Sequence, residues 1–149
     1  MVINEMEITF KAISVNEGFA RACVAAFCVQ ANPSLDELID IKTAVSEAVT
    51  NCVVHAYPKK VGDITIKVLL KDDNSVSISI KDYGIGVKDF KKVVEPFFTT
   101  KPDQERSGMG FTVMESFMDN VVLSKNEAGG LIVTMEKKFA SPTSLALGC

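Results

Sequence analysis

Residues 75–86 read SVSISIKDYGIG, and the alternation in that run decides the fold. Val76, Ile78 and Ile80 fall on one face, and Ser75, Ser77, Ser79 and Lys81 on the other. This is the period of a strand with one buried side. Counting on by two puts Asp82 on that buried side, where an ionised carboxylate costs on the order of several kcal/mol unless it is hydrogen-bonded or paired. Gly84 and Gly86 follow at once and let the backbone turn sharply.

The stretch before it carries the same pattern. Ile64, Ile66, Val68 and Leu70 alternate with Thr65 and Lys67, and Asp72, Asp73 and Asn74 supply the turn of a hairpin. Nearer the N-terminus, Met6, Ile8 and Phe10 share a face opposite Glu5, Glu7, Thr9 and Lys11, which predicts a further strand with one wet side. Two capping boxes, Ser14 with Glu17 and Ser34 with Glu37, predict helices over residues 14–30 and 34–56, and Pro58 ends the second. Beyond Gly86 the pattern predicts a short helix over 88–94, a polar loop over 95–108, a helix over 110–119 and strands over 121–125 and 131–138. Each strand has a polar face, so helices should cover only the opposite one. The expected architecture is a two-layer α/β sandwich with a mixed, mainly antiparallel sheet. One domain is expected over residues 1–139, with 140–149 as a frayed tail.

The bulk properties narrow the function. The 149 residues are 47% hydrophobic and 23% charged, which suits one domain with one core. The net charge is −3 and no basic run exceeds two residues, so a protein partner is expected rather than nucleic acid. No apolar run approaches a membrane span, and residues 1–11 lack the features of a signal peptide, so a cytoplasmic location is expected. Cys23, Cys28, Cys52 and Cys149 form no C-x-x-C pair, and His55 is the only histidine. Zinc is therefore not expected; three buried thiols and a tail cysteine are.

Three stretches carry chemistry. On the helix over 34–56, Glu47, Asn51 and His55 recur every four residues, beside Ser46 and Thr50. A polar band is commonly the solvent face of a helix. Asparagine in mid-helix is a weaker helix former, because its side chain competes for backbone hydrogen bonds, and this hints at another use. An amide oxygen suits magnesium, and a carboxylate one turn away can accept a proton. His55 reads as a structural residue closing the helix. At the second stretch, Asp82 with bare backbone at Gly84 and Gly86 can hold an exocyclic amine such as that of adenine; a plain strand-end turn is the bland alternative. At the third, Ser107, Gly108, Met109, Gly110 and Phe111 open a helix whose free N–H groups and dipole suit phosphate; a tight loop is the alternative there. Neither a dinucleotide fingerprint nor a P-loop is present.

Taken in order, Glu-x-x-x-Asn on a helix, Asp-x-Gly-x-Gly after a strand and Gly-x-Gly at a helix start resemble the motifs of the ATPases and kinases that include gyrase, Hsp90, histidine kinases and MutL. Residues 47–51 match the N box, 82–86 the first glycine box and 108–110 the second. That family, with the GHKL or Bergerat fold, binds ATP in a lid-covered pocket of an α/β sandwich. NEGFAR at 16–21, IKTAVSEAVTN at 41–51, FTTKP at 98–102 and ERSGMGF at 105–111 resemble, more narrowly, the anti-sigma F factors of endospore-forming bacteria. The likeness runs over residues 5–138. It implies a homodimer that holds a sporulation sigma factor inactive and uses Mg-ATP to phosphorylate a serine of an anti-anti-sigma factor.

Carried over by residue, the resemblance makes Glu47 the general base and Asn51 the magnesium ligand. Asp82 would receive the adenine amine, with Gly84 and Gly86 lining the base. Thr99, Lys101 and Arg106 would belong to the ATP lid, and Ser107, Gly108, Met109, Gly110 and Phe111 would meet the phosphates of ATP or ADP. Arg21, Thr50 and Arg106 would face partner proteins. One departure stands out: the family's Gly-Thr near the last strand is replaced by Gly129, Gly130 and Leu131, so a hydroxyl near adenine is missing. Two alternatives share the fold: a stress-response anti-sigma kinase, and an ATP-dependent binding switch that transfers no phosphate.

Overall fold

The computed structural model describes residues 1–58, 60–86 and 110–140. The elements expected over 88–94 and 95–108, and the tail from 141 to 149 with Cys149, lie outside the described residues. The described chain runs β1 (Val2–Lys11), α1 (Asn16–Cys28), α2 (Leu35–Asn51), β2 (Asp63–Lys71), β3 (Ser75–Asp82), α3 (Gly110–Phe117), β4 (Asn120–Lys125) and β5 (Leu131–Lys138).

The five strands form one sheet in the order β1-β2-β3-β5-β4. All four pairings are antiparallel, where a mixed sheet was expected. The reason is topological. The chain crosses from β3 to β4 at the far edge, and β5 then folds back between them, so β3 and β4, which run the same way, never touch. The register lines up one apolar row across the whole sheet: Ile8 opposite Ile66, Ile66 opposite Ile80, Ile80 opposite Val133, and Val133 opposite Leu123. Ile66 and Ile80 are fully buried. Burying such a side chain stabilises by about 1.5–3 kcal/mol.

Helix α2 lies between α1 and α3 and packs against both. Ile41, Ala44, Val45, Ala48 and Val49 form its buried stripe, with Val24 of α1 and Met114 of α3 in the same core. No helix among the described residues is long and apolar enough to cross a membrane. Cys28 and Cys52 are buried as expected, but Cys23 is only half-buried. Burial pushes the Cys28 thiol up to about 12.

The polar face of the sheet is drier than its sequence suggests. Thr65 and Ser77 are each only 7% exposed. The Thr65 hydroxyl lies 3.0 Å from the Thr9 hydroxyl and 3.0 Å from the Tyr83 hydroxyl, so cross-strand hydroxyl pairs satisfy one another there.

The two capping boxes behave differently. At Ser34 both bonds form: the Glu37 carboxylate accepts from Ser34 N at 2.8 Å, and the Ser34 hydroxyl accepts from Glu37 N at 3.1 Å. At Ser14 the box does not form; Val15 is the N-cap and makes no side-chain cap bond. Glu17 is drawn away instead, accepting from the Ser46 hydroxyl on α2 and pairing with Arg21 at 3.4 Å. A tertiary partner outcompetes the local cap. The second helix also departs from a plain α-helix. It is α-helical through Asn51 and π-helical over Cys52–Ala56. Such widened turns recur at functional sites.

Candidate active site

Asn51 ends the α-helical part of α2. Its side-chain Oδ1 and Nδ2 are both buried, and neither has a hydrogen-bond partner among the described residues. A buried amide left so costs about 1–3 kcal/mol, so its persistence calls for an explanation. Gly110, the first residue of α3, lies against it. A Cβ at Gly110 would stand 2.5 Å from Asn51 Nδ2. Two motifs far apart in sequence therefore touch: the mid-helix amide and the bare backbone at a helix start. Glu47 and Thr50, one turn and one residue earlier on α2, are half-buried.

Asp82 ends β3 on the buried side, as the alternation predicts, and is 4% exposed. Its Oδ1 accepts from Gly84 N at 3.0 Å and from Leu131 N at 3.1 Å. Its Oδ2 faces the Cys52 thiol at 3.7 Å. Burial pushes the carboxyl above its usual range, outweighing the three hydrogen bonds that favour the charge. The Cys52 thiol is itself pushed well up, first by burial and then by the carboxylate beside it. Cys52 follows Asn51 directly in the chain. The end of the helix that carries Asn51 thus meets the end of β3 through the Cys52–Asp82 contact.

The glycines explain how close the backbones come. A Cβ at Gly84 would overlap the carbonyl of Ala56. Gly86 has φ +70 and would bring a Cβ to 3.4 Å from Gly130 O. Gly130, at φ +97, sits against the carbonyl and carboxylate of Asp82, where a side chain would collide. This gives the departure from Gly-Thr a physical meaning. The residue after the glycine, Leu131, holds Asp82 through its backbone N–H. Asn126 adds a further tie, donating from Nδ2 to Asp82 O at 2.8 Å.

A cleft of about 300 Å³ opens beside this turn, lined by Ala56, Tyr57, Pro58, Lys60, Tyr83, Gly84 and Ile85. Neither Asn51 nor Glu47 lines it. Phe111 is 7% exposed and its side chain belongs to the core, so only its backbone is available to a ligand. Arg21 lies on α1, paired with Glu17, which in turn accepts from Ser46, the residue before Glu47; Val15 and Phe19, close to it in sequence, are exposed. Half-buried His55 falls in the π-helical turn. Thr99, Lys101, Arg106, Ser107, Gly108 and Met109 lie outside the described residues. Sequence reasoning missed Cys52, Tyr57, Asn126 and Leu131. Only the Gly129-Gly130 pair signalled a close approach near them.

No group of three or more His, Cys, Asp or Glu side chains among the described residues could enclose a metal. Magnesium does not need one, since it retains waters and takes phosphate oxygens with one or two protein ligands. The Asn51 Oδ1, unpartnered among the described residues, fits that demand.

Comparison with known proteins agrees with the fold. Residues 11–137 match the histidine kinase-like ATPase domain family. A protein of Clostridium acetobutylicum named anti-sigma F factor is 49% identical over 140 residues, covering 94% of this chain and 97% of its own. The protein of that name from Bacillus velezensis is 46% identical over 143 residues, covering 95% and 97%. In three dimensions, the RsbU and RsbW domains of a Mycobacterium tuberculosis protein share the fold with a TM-score of 0.69 at 22% identity, covering 94% of this chain and 34% of that one. The histidine kinase domain from the Erythrobacter litoralis blue-light activated kinase does so at 0.57 and 13% identity, covering 87% of this chain and 64% of that one. These two likenesses speak for the fold alone. With its Asn51 amide, Asp82 carboxylate and glycine turns in that fold, this chain belongs to the histidine kinase-like ATPase domain family and is a homologue of proteins named anti-sigma F factor.

Proposed function

We propose that this chain is an anti-sigma factor and a protein serine kinase: it holds a sporulation sigma factor inactive, and it phosphorylates a serine of an anti-anti-sigma partner with Mg-ATP. The observation that carries the nucleotide site is the buried Asn51 amide, unpartnered among the described residues and set against Gly110, with Asp82 in contact with Cys52, the next residue after it. The names of the relatives supply the sigma-factor part of the reading.

In this reading Asp82 accepts the exocyclic amine of adenine through Oδ2, because its Oδ1 is already taken by two backbone N–H groups. Gly84 and Gly86 let the base lie against backbone. Asn51 offers its oxygen to magnesium, which neutralises charge on the phosphates when bound. The N–H groups at the start of α3, beside Asn51, face the same charge. Glu47 takes the proton of the partner's serine hydroxyl as its oxygen bonds to the γ-phosphorus. The bond from that phosphorus to the β–γ bridging oxygen breaks, and ADP leaves. Phosphoryl transfer of this kind depends mainly on positioning and charge stabilisation. Thr99, Lys101 and Arg106 are assigned to the lid, and Ser107, Gly108 and Met109 to the phosphates. Arg21 and Thr50, with Arg106, are assigned to partner contacts on a homodimer working in the cytoplasm.

Incubation with labelled ATP and a candidate anti-anti-sigma protein, followed by mass spectrometry, should reveal phosphoserine on that partner. Glu47→Ala should retain ATP binding and slow transfer by about 10²–10⁴-fold, the range for loss of a general base. An unchanged transfer rate would remove Glu47 from that role. ATP binding with no phosphoserine in any partner would leave a binding switch in place of a kinase.

A further inference from the structure

We propose that Tyr57 is a positioning residue for adenine recognition: its phenol oxygen fixes the turn after Asp82 to the end of the helix that carries Asn51. The phenol oxygen makes two short bonds. It donates to the carbonyl of Asp63 at 2.6 Å and accepts from the backbone N–H of Tyr83 at 2.6 Å. Only a group with both a proton and a lone pair can serve both at once. The residue is 7% exposed. Burial pushes its phenol above the usual range, so the donated proton stays in place at neutral pH.

The neighbouring residue adds a second tie. Ala56 O accepts from Ile85 N at 3.0 Å. Residues 56 and 57 therefore grip the chain on both sides of Gly84, whose missing side chain permits the approach. Gly62 does the same under the Tyr57 ring, where a Cβ would collide. The π-helical turn over Cys52–Ala56 is what delivers these two residues. Asp82 sits directly before Tyr83 and draws one of its own bonds from Gly84 N. A shift of residues 83–85 would therefore move the carboxylate. The Tyr57 oxygen, both of whose bonds go to backbone, is the clamp that keeps the acceptor aimed.

This inference rests on the reading of Asp82 as the adenine acceptor, and the test separates the two. Affinities for Mg-ATP, Mg-ITP and inorganic tripolyphosphate are measured by calorimetry on the full chain and on Tyr57→Phe. Inosine presents a carbonyl where adenine presents the amine. The unaltered chain should prefer ATP to ITP. Tyr57→Phe should lose about tenfold in ATP affinity, the equivalent of one hydrogen bond, while ITP and tripolyphosphate change little, so the preference shrinks. An equal loss for all three ligands would show a merely structural role and overturn the inference. A preference present in the unaltered chain and undiminished in Tyr57→Phe overturns the inference alone. Indifference between ATP and ITP in the unaltered chain overturns the Asp82 reading and this inference with it. Hydrogen exchange on the unaltered chain gives an answer even if Tyr57→Phe does not fold: the Tyr83 amide should exchange slowly, and fast exchange there refutes the clamp.

Discussion

At the scale of the residue, Asp82 carries two opposite consequences of pH. Its folded-state pKa is raised from 3.8 by burial, so the folded chain holds this proton more tightly than the unfolded chain does. The group's contribution to stability is then fully present below 3.8 and is lost as pH rises through the raised folded value. Affinity for ATP should run the other way, because the amine of adenine is best accepted by the ionised form. Calorimetric titrations with ATP should weaken as pH falls through the raised pKa. In Asp82→Asn the profile should flatten and ATP binding fall by about ten- to hundredfold, since an amide NH₂ would face the adenine amine. A generic anion should be affected far less; an equal loss for both would argue against adenine contact. Asp82's burial was legible from the period-2 run before it. Its partners were not, because Cys52 and Leu131 lie 30 and 49 residues away, and no local pattern encodes a contact at that separation.

At the scale of the element, the two capping boxes make a paired experiment. Ser34→Ala removes a formed cap and should cost about 1 kcal/mol of stability. The effect would be larger if Glu37 then lost its hold on Ala140, whose backbone N–H it also binds at 2.9 Å. Ser14→Ala should cost little, because only the Ser14 backbone carbonyl is used, accepting from Glu17 N at 3.2 Å. The midpoint of urea unfolding at constant slope reads both. Equal losses would contradict the assignment of one box as formed and the other as broken. The same motif was read at both places, and what decided between them was Ser46, presented to Glu17 by a neighbouring helix. The strands were far more legible than the helix ends. Alternation records which side is buried, whereas the change from α to π at Cys52 only shifts hydrogen bonds by one residue and leaves composition unmarked.

At the scale of the whole molecule, a ligand that joins α2, β3 and α3 should stabilise all of them together. Mg-ADP at about a hundred times its dissociation constant should add about 2.7 kcal/mol, seen as a rise in the melting temperature. In Asn51→Ala the magnesium-dependent part of that rise should vanish; an undiminished magnesium effect would refute the ligand role. The sequence by itself determined the class of sheet face at each strand, the approximate positions of the three described helices and the order of the three motifs, because these follow from short-range periodicity and backbone preference. It also carried the family likeness, since residues 47–51 and 82–86 keep their spacing. Only the tertiary structure decided that Gly110 abuts Asn51, that Gly130 abuts Asp82 and that Tyr57 clamps Tyr83. Those contacts join residues from separate elements, and their geometry is set by how the helices settle on the sheet, a balance of packing that no single segment contains.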